Sequence, residues 1–98
     1  MDNPVILAAG ILGTTGASLR RAALAGAGGV VTKSVGVVPR DGHRGPTVVQ
    51  VEGGLLNAMG LPNPSYRNFQ EEIDIGRGGG APVVASIFGS GPREFVEV

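Results

Sequence analysis

Apolar residues in this chain fall in short separate runs, and the spacing inside each run predicts a different element. Val5 to Ala9 is continuous, opened by Asn3-Pro4 and closed by Gly10. With no polar alternation, that run predicts a strand buried on both faces and central in a parallel sheet. The pattern then turns helical through Ala17, Leu19, Arg20, Ala22, Ala23 and Leu24. Thr14 or Thr15 is placed to cap this helix and Gly26 to end it, with a small, alanine-rich core face and Arg20 and Arg21 in solvent. A second β-branched run, Val30 to Thr32, ends on the polar pair Lys33-Ser34, which completes a strand, helix, strand unit.

Pro39 to Pro46 is polar and turn-forming, and "TVVQVEGG" carries strand propensity with Gln50 and Glu52 on one alternating face. These features predict a small antiparallel insertion. Asn63 is placed to cap a further helix with Pro64 in its first turn and Tyr66, Phe69 and Ile73 along one face. Gly76 to Gly80 ends it loosely, "APVVASIFGS" reads as a third strand, and "GPREFVEV" starts a third helix with Phe95 and Val98 on one face. The alternation is that of a parallel α/β sheet. A (β/α)8 barrel needs eight units and typically ~250 residues, so residues 1–98 read as its first three β/α units with a small β insertion, an incomplete barrel.

Charge and composition narrow the function. Eight basic and eight acidic residues cancel, so nothing invites nucleic acid or an anionic membrane surface. With no cysteine and one histidine, His43, no His/Cys metal cluster can be assembled. The longest apolar run is far short of a membrane span, and "MDNPVILAAG" lacks the basic residues that precede a secretory apolar segment; a cytoplasmic location is expected. Glycine stands out at 18 of 98 residues, placed at the ends of apolar runs where backbones turn or approach closely.

Taken alone, most candidate residues have an ordinary reading. A lysine ending a strand, as Lys33 does, is commonly a snorkelling residue, and Asn57 to Pro64 suits a turn followed by a helix cap. Met59 and Leu61 within that turn nevertheless need a lid or a partner. Glu71, Glu72 and Asp74 read as a solvated helix face, and His43, between Gly42 and Arg44, as an exposed turn residue without a partner. "GRGGGA" lacks the Gly-Lys-Ser/Thr ending of a phosphate loop and precedes a strand, so it reads as a flexible linker.

Four blocks in order, "NPVILAAG", "AGAGGVVTKS", "PTVVQVEGGLLNAMGLPNP" and "PVVASIFG", closely resemble the N-terminal third of the dihydroorotate dehydrogenase family. The soluble class-1 branch fits better than the membrane-associated one, which usually adds an N-terminal helical region, and the nicotinamide-linked 1B type is expected. The resemblance implies a barrel with flavin mononucleotide (FMN) over its C-terminal mouth and dihydroorotate or orotate stacked on the ring. It implies that Ala9 and Gly10 lie against the flavin, although the family often has Ser at the Ala9 position. Lys33 would reach both flavin and substrate, acting electrostatically; Ser34 would contact the flavin, and Ser86 would lie near it. Asn57 and the backbone of Ala58, Met59, Gly60 and Leu61 would fold over the substrate and bind its carboxylate.

The family's soluble branch uses a cysteine base, and this chain has no cysteine. The chain alone is therefore expected neither to turn over dihydroorotate nor to hold flavin tightly. An FAD and iron–sulfur electron-transfer subunit is the implied partner, and a homo-oligomer is implied at full length. The residues present do not choose between fumarate and a nicotinamide-linked partner as electron acceptor. Two noncatalytic readings compete: a small-anion-binding module using the Asn57 to Leu61 amides, and an assembly module without a ligand.

Overall fold

A computed structural model describes all residues, 1–98. The chain is a mixed α/β fold: β1 (Ile6–Leu7), a 3-10 turn (Ile11–Gly13), α1 (Gly16–Leu24), β2 (Gly29–Val31), β3 (Val48–Val51) and β4 (Gly54–Asn57) come first. A second 3-10 turn (Tyr66–Asn68), α2 (Gln70–Arg77), β5 (Val83–Val84) and α3 (Pro92–Glu97) follow. β1, β2 and β5 form a parallel sheet in that order, with Leu7 beside Val30 and Val30 beside Val83. β3 and β4 form a separate antiparallel hairpin, pairing Val49 with Leu56 and Gln50 with Leu55.

The predicted place of β1 is corrected. β2, not β1, is the middle strand. β1 lies at the edge with Val5 and Ile6 exposed, because one side of it has no hydrogen-bonding neighbour within the chain. The apolar run correctly marks a strand built for burial, but burial on both faces needs further elements.

α1 forms where its pattern predicts. Thr15 is the N-cap in extended conformation and its hydroxyl accepts the Ser18 N–H at 3.2 Å. Gly26, at φ +102°, ends the helix as Ala27 N–H reaches back to the Ala22 carbonyl and Gly26 N–H to Ala23. Its inner face, Leu19 and Ala23, packs with Val30 of β2 into a small core joined by Leu7, Ala81 and Val83. Full burial of a residue such as Leu19 or Val30 stabilises by about 1.5–3 kcal/mol.

The second helical segment differs from expectation. Asn63 is not its cap: Asn63 is 7% exposed and bonded elsewhere, while Ser65 caps the 3-10 turn Tyr66–Asn68 and α2 begins only at Gln70. Phe69 is fully enclosed between the two. The acidic run is not wholly solvated either, since the Glu72 carboxylate accepts the N–H of Gly16 at the start of α1, where the helix dipole favours a negative charge. "GRGGGA" is an ordered helix end, not a linker. Gly76 is buried with Leu19 so close that a Cβ there would lie 3.1 Å from the Leu19 Cβ, and Gly78, Gly79 and Gly80 N–H groups bond in succession to Ile75, Gly76 and Arg77.

The hairpin forms as predicted, with one adjustment: β3 ends at Val51, so Glu52 lies in the turn and does not share a strand face with Gln50. All eight strand residues of the hairpin are exposed.

Candidate functional site

The carboxyl ends of β1, β2 and β5 point the same way because the strands are parallel, and the predicted site residues gather there. Ala9, Lys33 and Ser86 each follow two residues after the last paired residue of their strand, Leu7, Val31 and Val84. Beyond Val31 and Val84 the pairing resumes at Val35 and Ile87. Thr32 to Ser34 therefore oppose only Ala85 and Ser86, a β-bulge, a device that re-aims side chains. Thr32 repairs the interrupted ladder by accepting the Ser86 N–H on its hydroxyl at 3.0 Å. Ser34 and Ser86 join hydroxyl to hydroxyl at 2.7 Å, and the Lys33 N–H turns to the Gly13 carbonyl at 2.8 Å.

Lys33 is only 8% exposed and forms no ion pair; the two ion pairs of the chain, Arg67 with Glu97 and Arg77 with Asp74, lie elsewhere. The Lys33 stem is enclosed while its unbonded ammonium is not, the shape of a snorkelling lysine whose head opens at the sheet end. Lys33 lines a cavity of ≈ 610 Å³ together with Ala9, Gly10, Asn57, Met59, Gly60 and Leu61, within the ~300–1,000 Å³ usual for small-molecule sites. It is the only ionisable side chain in that lining.

The Asn57 to Leu61 loop arrives from the hairpin. Asn57 is the last residue of β4 and pairs with Val48. Ala58 departs from expectation: its N–H is taken by the Thr47 carbonyl at 2.8 Å and it does not line the cavity, so it closes the hairpin. The next three N–H groups, of Met59, Gly60 and Leu61, make no hydrogen bond within the protein. Gly60 has φ +76°, and a Cβ there would lie 2.7 Å from the His43 backbone nitrogen, so glycine is required on both counts. Leu61 also has positive φ, 54°, a conformation that costs a branched side chain roughly 1–2 kcal/mol.

Ser34 and Ser86 stand at the same sheet end without lining this cavity. His43 is exposed and lies behind the loop, its N–H donating to the Met59 carbonyl at 3.0 Å. No group of acidic, histidine or cysteine side chains is arranged to hold a metal ion, and no helix is long and apolar enough to cross a membrane. Sequence reasoning missed Thr32, whose hydroxyl acts within the bulge, and gave Asn63 a helix cap where its side chain instead joins Gly36, Leu61 and Ser65.

A family model described as dihydroorotate dehydrogenase matches residues 1–98, the whole chain. The chain belongs to the dihydroorotate dehydrogenase family. It is 58% identical over 98 residues to a protein of Methanocella arvoryzae named dihydroorotate dehydrogenase B (NAD(+)), catalytic subunit, covering 100% of the chain and 33% of that relative. Proteins of the same name from Pyrococcus furiosus, 54% identical over 94 residues, and Methanocaldococcus jannaschii, 50% identical over 100 residues, cover 96% and 98% of the chain and 31% and 33% of their own lengths. The chain thus spans about a third of the length of these dihydroorotate dehydrogenase relatives.

Proposed function

We propose that this chain forms the first three β/α units of a (β/α)8 barrel in a dihydroorotate dehydrogenase, which oxidises dihydroorotate to orotate in cytoplasmic pyrimidine biosynthesis. One observation carries the reading: Lys33, whose stem is buried and whose ammonium opens to the cavity without a protein counterion, shares that cavity with three consecutive residues whose backbone N–H groups are unpartnered. A lone cation beside free N–H donors favours a small anionic ligand, and the substrate is a planar-ringed carboxylate.

The residues fit FMN as the resident group. Nothing lies within 4 Å of where a Gly10 Cβ would stand, which leaves an open backbone surface at the cavity wall for a flat ring to rest on, with Ala9 beside it. FMN would supply the hydride acceptor. Lys33 would stabilise negative charge developing beside it; Ser34 and Ser86 would offer hydroxyls at the sheet end, Ser86 in the role some family members give to Asn. Met59, Gly60 and Leu61 N–H groups would receive the substrate carboxylate, Asn57 would orient the ring, and Met59 and Leu61 would exclude water. Lys33 is the only ionisable side chain lining this cavity, and with its role assigned as the cation, proton abstraction would fall to the remainder of a longer polypeptide. The relatives are named as NAD(+)-type catalytic subunits, and the family resemblance adds an FAD and iron–sulfur partner subunit and a homo-oligomer.

The test is anaerobic addition of dihydroorotate to the full-length polypeptide containing this chain. Stoichiometric loss of the flavin's visible absorbance is expected, and an unchanged spectrum with retained flavin overturns the reading. A second reading, a small-anion-binding module, is favoured by Lys33 and the three N–H groups all lying within these 98 residues. Saturable orotate binding by the chain without flavin supports it, and its absence leaves the enzyme reading alone.

A further inference from the structure

We propose that Asn63 is a positioning residue for the substrate clamp: its carboxamide holds Leu61 in the left-handed backbone conformation that leaves three N–H groups free at the cavity wall. The inference rests on the enzyme reading for the identity of the ligand, but its geometry stands apart from that reading.

Asn63 is buried, and every hydrogen-bonding group it owns is engaged. Its side-chain oxygen accepts the Gly36 N–H at 3.3 Å and the Ser65 N–H at 3.0 Å, and its side-chain nitrogen donates to the Leu61 carbonyl at 3.0 Å. Its backbone N–H and carbonyl pair reciprocally with Arg40 at 2.9 Å each. The second strap across the loop is the bond from His43 N–H to the Met59 carbonyl at 3.0 Å. Arg40 is itself fixed over the Phe88 ring, 5.2 Å from its centroid. Residues 40–43 thus back the clamp at both ends, and Asn63 is where that backing reaches Leu61.

The Leu61 carbonyl decides the shape. With φ at 54°, Leu61 occupies a conformation a leucine adopts only when its surroundings hold it there. The Asn63 amide is the one group recorded as donating to that carbonyl. Releasing it lets Leu61 relax toward negative φ, which rotates the adjoining peptide groups and breaks the alignment of the Met59, Gly60 and Leu61 N–H groups.

The test uses the full-length flavin-loaded polypeptide with Asn63→Asp, which keeps both acceptor bonds but sets a carboxylate oxygen against the Leu61 carbonyl in place of the donor, and with Asn63→Gln, which stays neutral but is one methylene too long. Amide hydrogen exchange at Arg40 and His43, whose N–H groups bond to Asn63 and Met59 of the loop, orotate affinity, flavin content and steady-state kinetics are measured. Both variants are expected to keep their flavin, to exchange the Arg40 and His43 amides about tenfold faster, and to bind orotate about tenfold more weakly, with KM raised more than kcat is lowered. If Asn63→Asp does not fold, Asn63→Gln alone decides by the same readouts. Orotate affinity within threefold of wild type, unchanged exchange, or joint loss of flavin and fold in both variants overturns the assignment. A wild-type protein that binds no orotate overturns the enzyme reading instead, and exchange of the Arg40 and His43 amides still decides the role of Asn63.

Discussion

Replacing Lys33 by methionine separates binding from folding. Lys33 is 8% exposed as a residue, its ammonium opens at the cavity, and no carboxylate pairs with it, so no ion pair within the fold is lost with the charge. Methionine keeps a similar length and volume, and volume-conserving swaps usually cost less than about 1.5 kcal/mol. The variant should therefore melt at the wild-type temperature or above it. Binding should move the other way: a charge-assisted hydrogen bond contributes about 1.5–3 kcal/mol, equivalent to a loss of about 10- to 150-fold in orotate affinity. Thermal unfolding and orotate titration of the full-length flavin-loaded polypeptide measure the two effects side by side. Unchanged orotate affinity refutes the role of Lys33 as the anion partner. A fall in melting temperature of more than about 4 °C refutes the claim that its charge is unsupported by the fold.

Gly60→Ala places a Cβ 2.7 Å from the His43 backbone nitrogen at φ +76° and should cost about 1–3 kcal/mol, read by denaturant unfolding together with weaker orotate binding. Thr32→Val leaves the Ser86 N–H without its 3.0 Å acceptor; the expected loss is about 1–3 kcal/mol of stability, and an unchanged unfolding midpoint would show that the bulge does not need the hydroxyl. Thr15→Ala removes the cap of α1 and should lower stability by about 1 kcal/mol while leaving orotate affinity unchanged. Val49→Lys combined with Leu56→Glu, opposite charges across the exposed hairpin, should shift folding stability by no more than about 0.5 kcal/mol, read by the unfolding midpoint.

Elements set by near neighbours were legible from the residues. α1 forms between Thr15 and Gly26 because cap, period and stop lie within a dozen positions, and the β3–β4 hairpin is equally local. Residues whose partners lie far along the chain were misread. Asn63 next to Pro64 has the composition of a helix cap, but Gly36 and Arg40 compete for its polar groups and win. Glu72 sits in an acidic run that suits water, yet its carboxylate reaches Gly16, 56 residues away in sequence. β1 carries the composition of a central strand, and the chain offers it only one neighbour. For the site, position along the strand was readable and reach was not: Lys33 and the Met59 to Leu61 loop meet at one cavity, while Ala58 spends its N–H on Thr47.

The contact between Ser34 and Ser86 also sets an inventory of protons. Two hydroxyls bring two hydrogens, and the 2.7 Å bond between them uses one. The other is always left on whichever serine is accepting, while the donating serine keeps its lone pairs. Rotating both O–H bonds exchanges those assignments without moving a carbon, nitrogen or oxygen atom. The sheet end can thus present a donor at Ser34 and an acceptor at Ser86, or the reverse, and a neighbouring group selects between the two arrangements by its own hydrogen-bonding pattern. Removing either hydroxyl would leave a single serine at this sheet end, free to rotate and without the partner that fixes its direction.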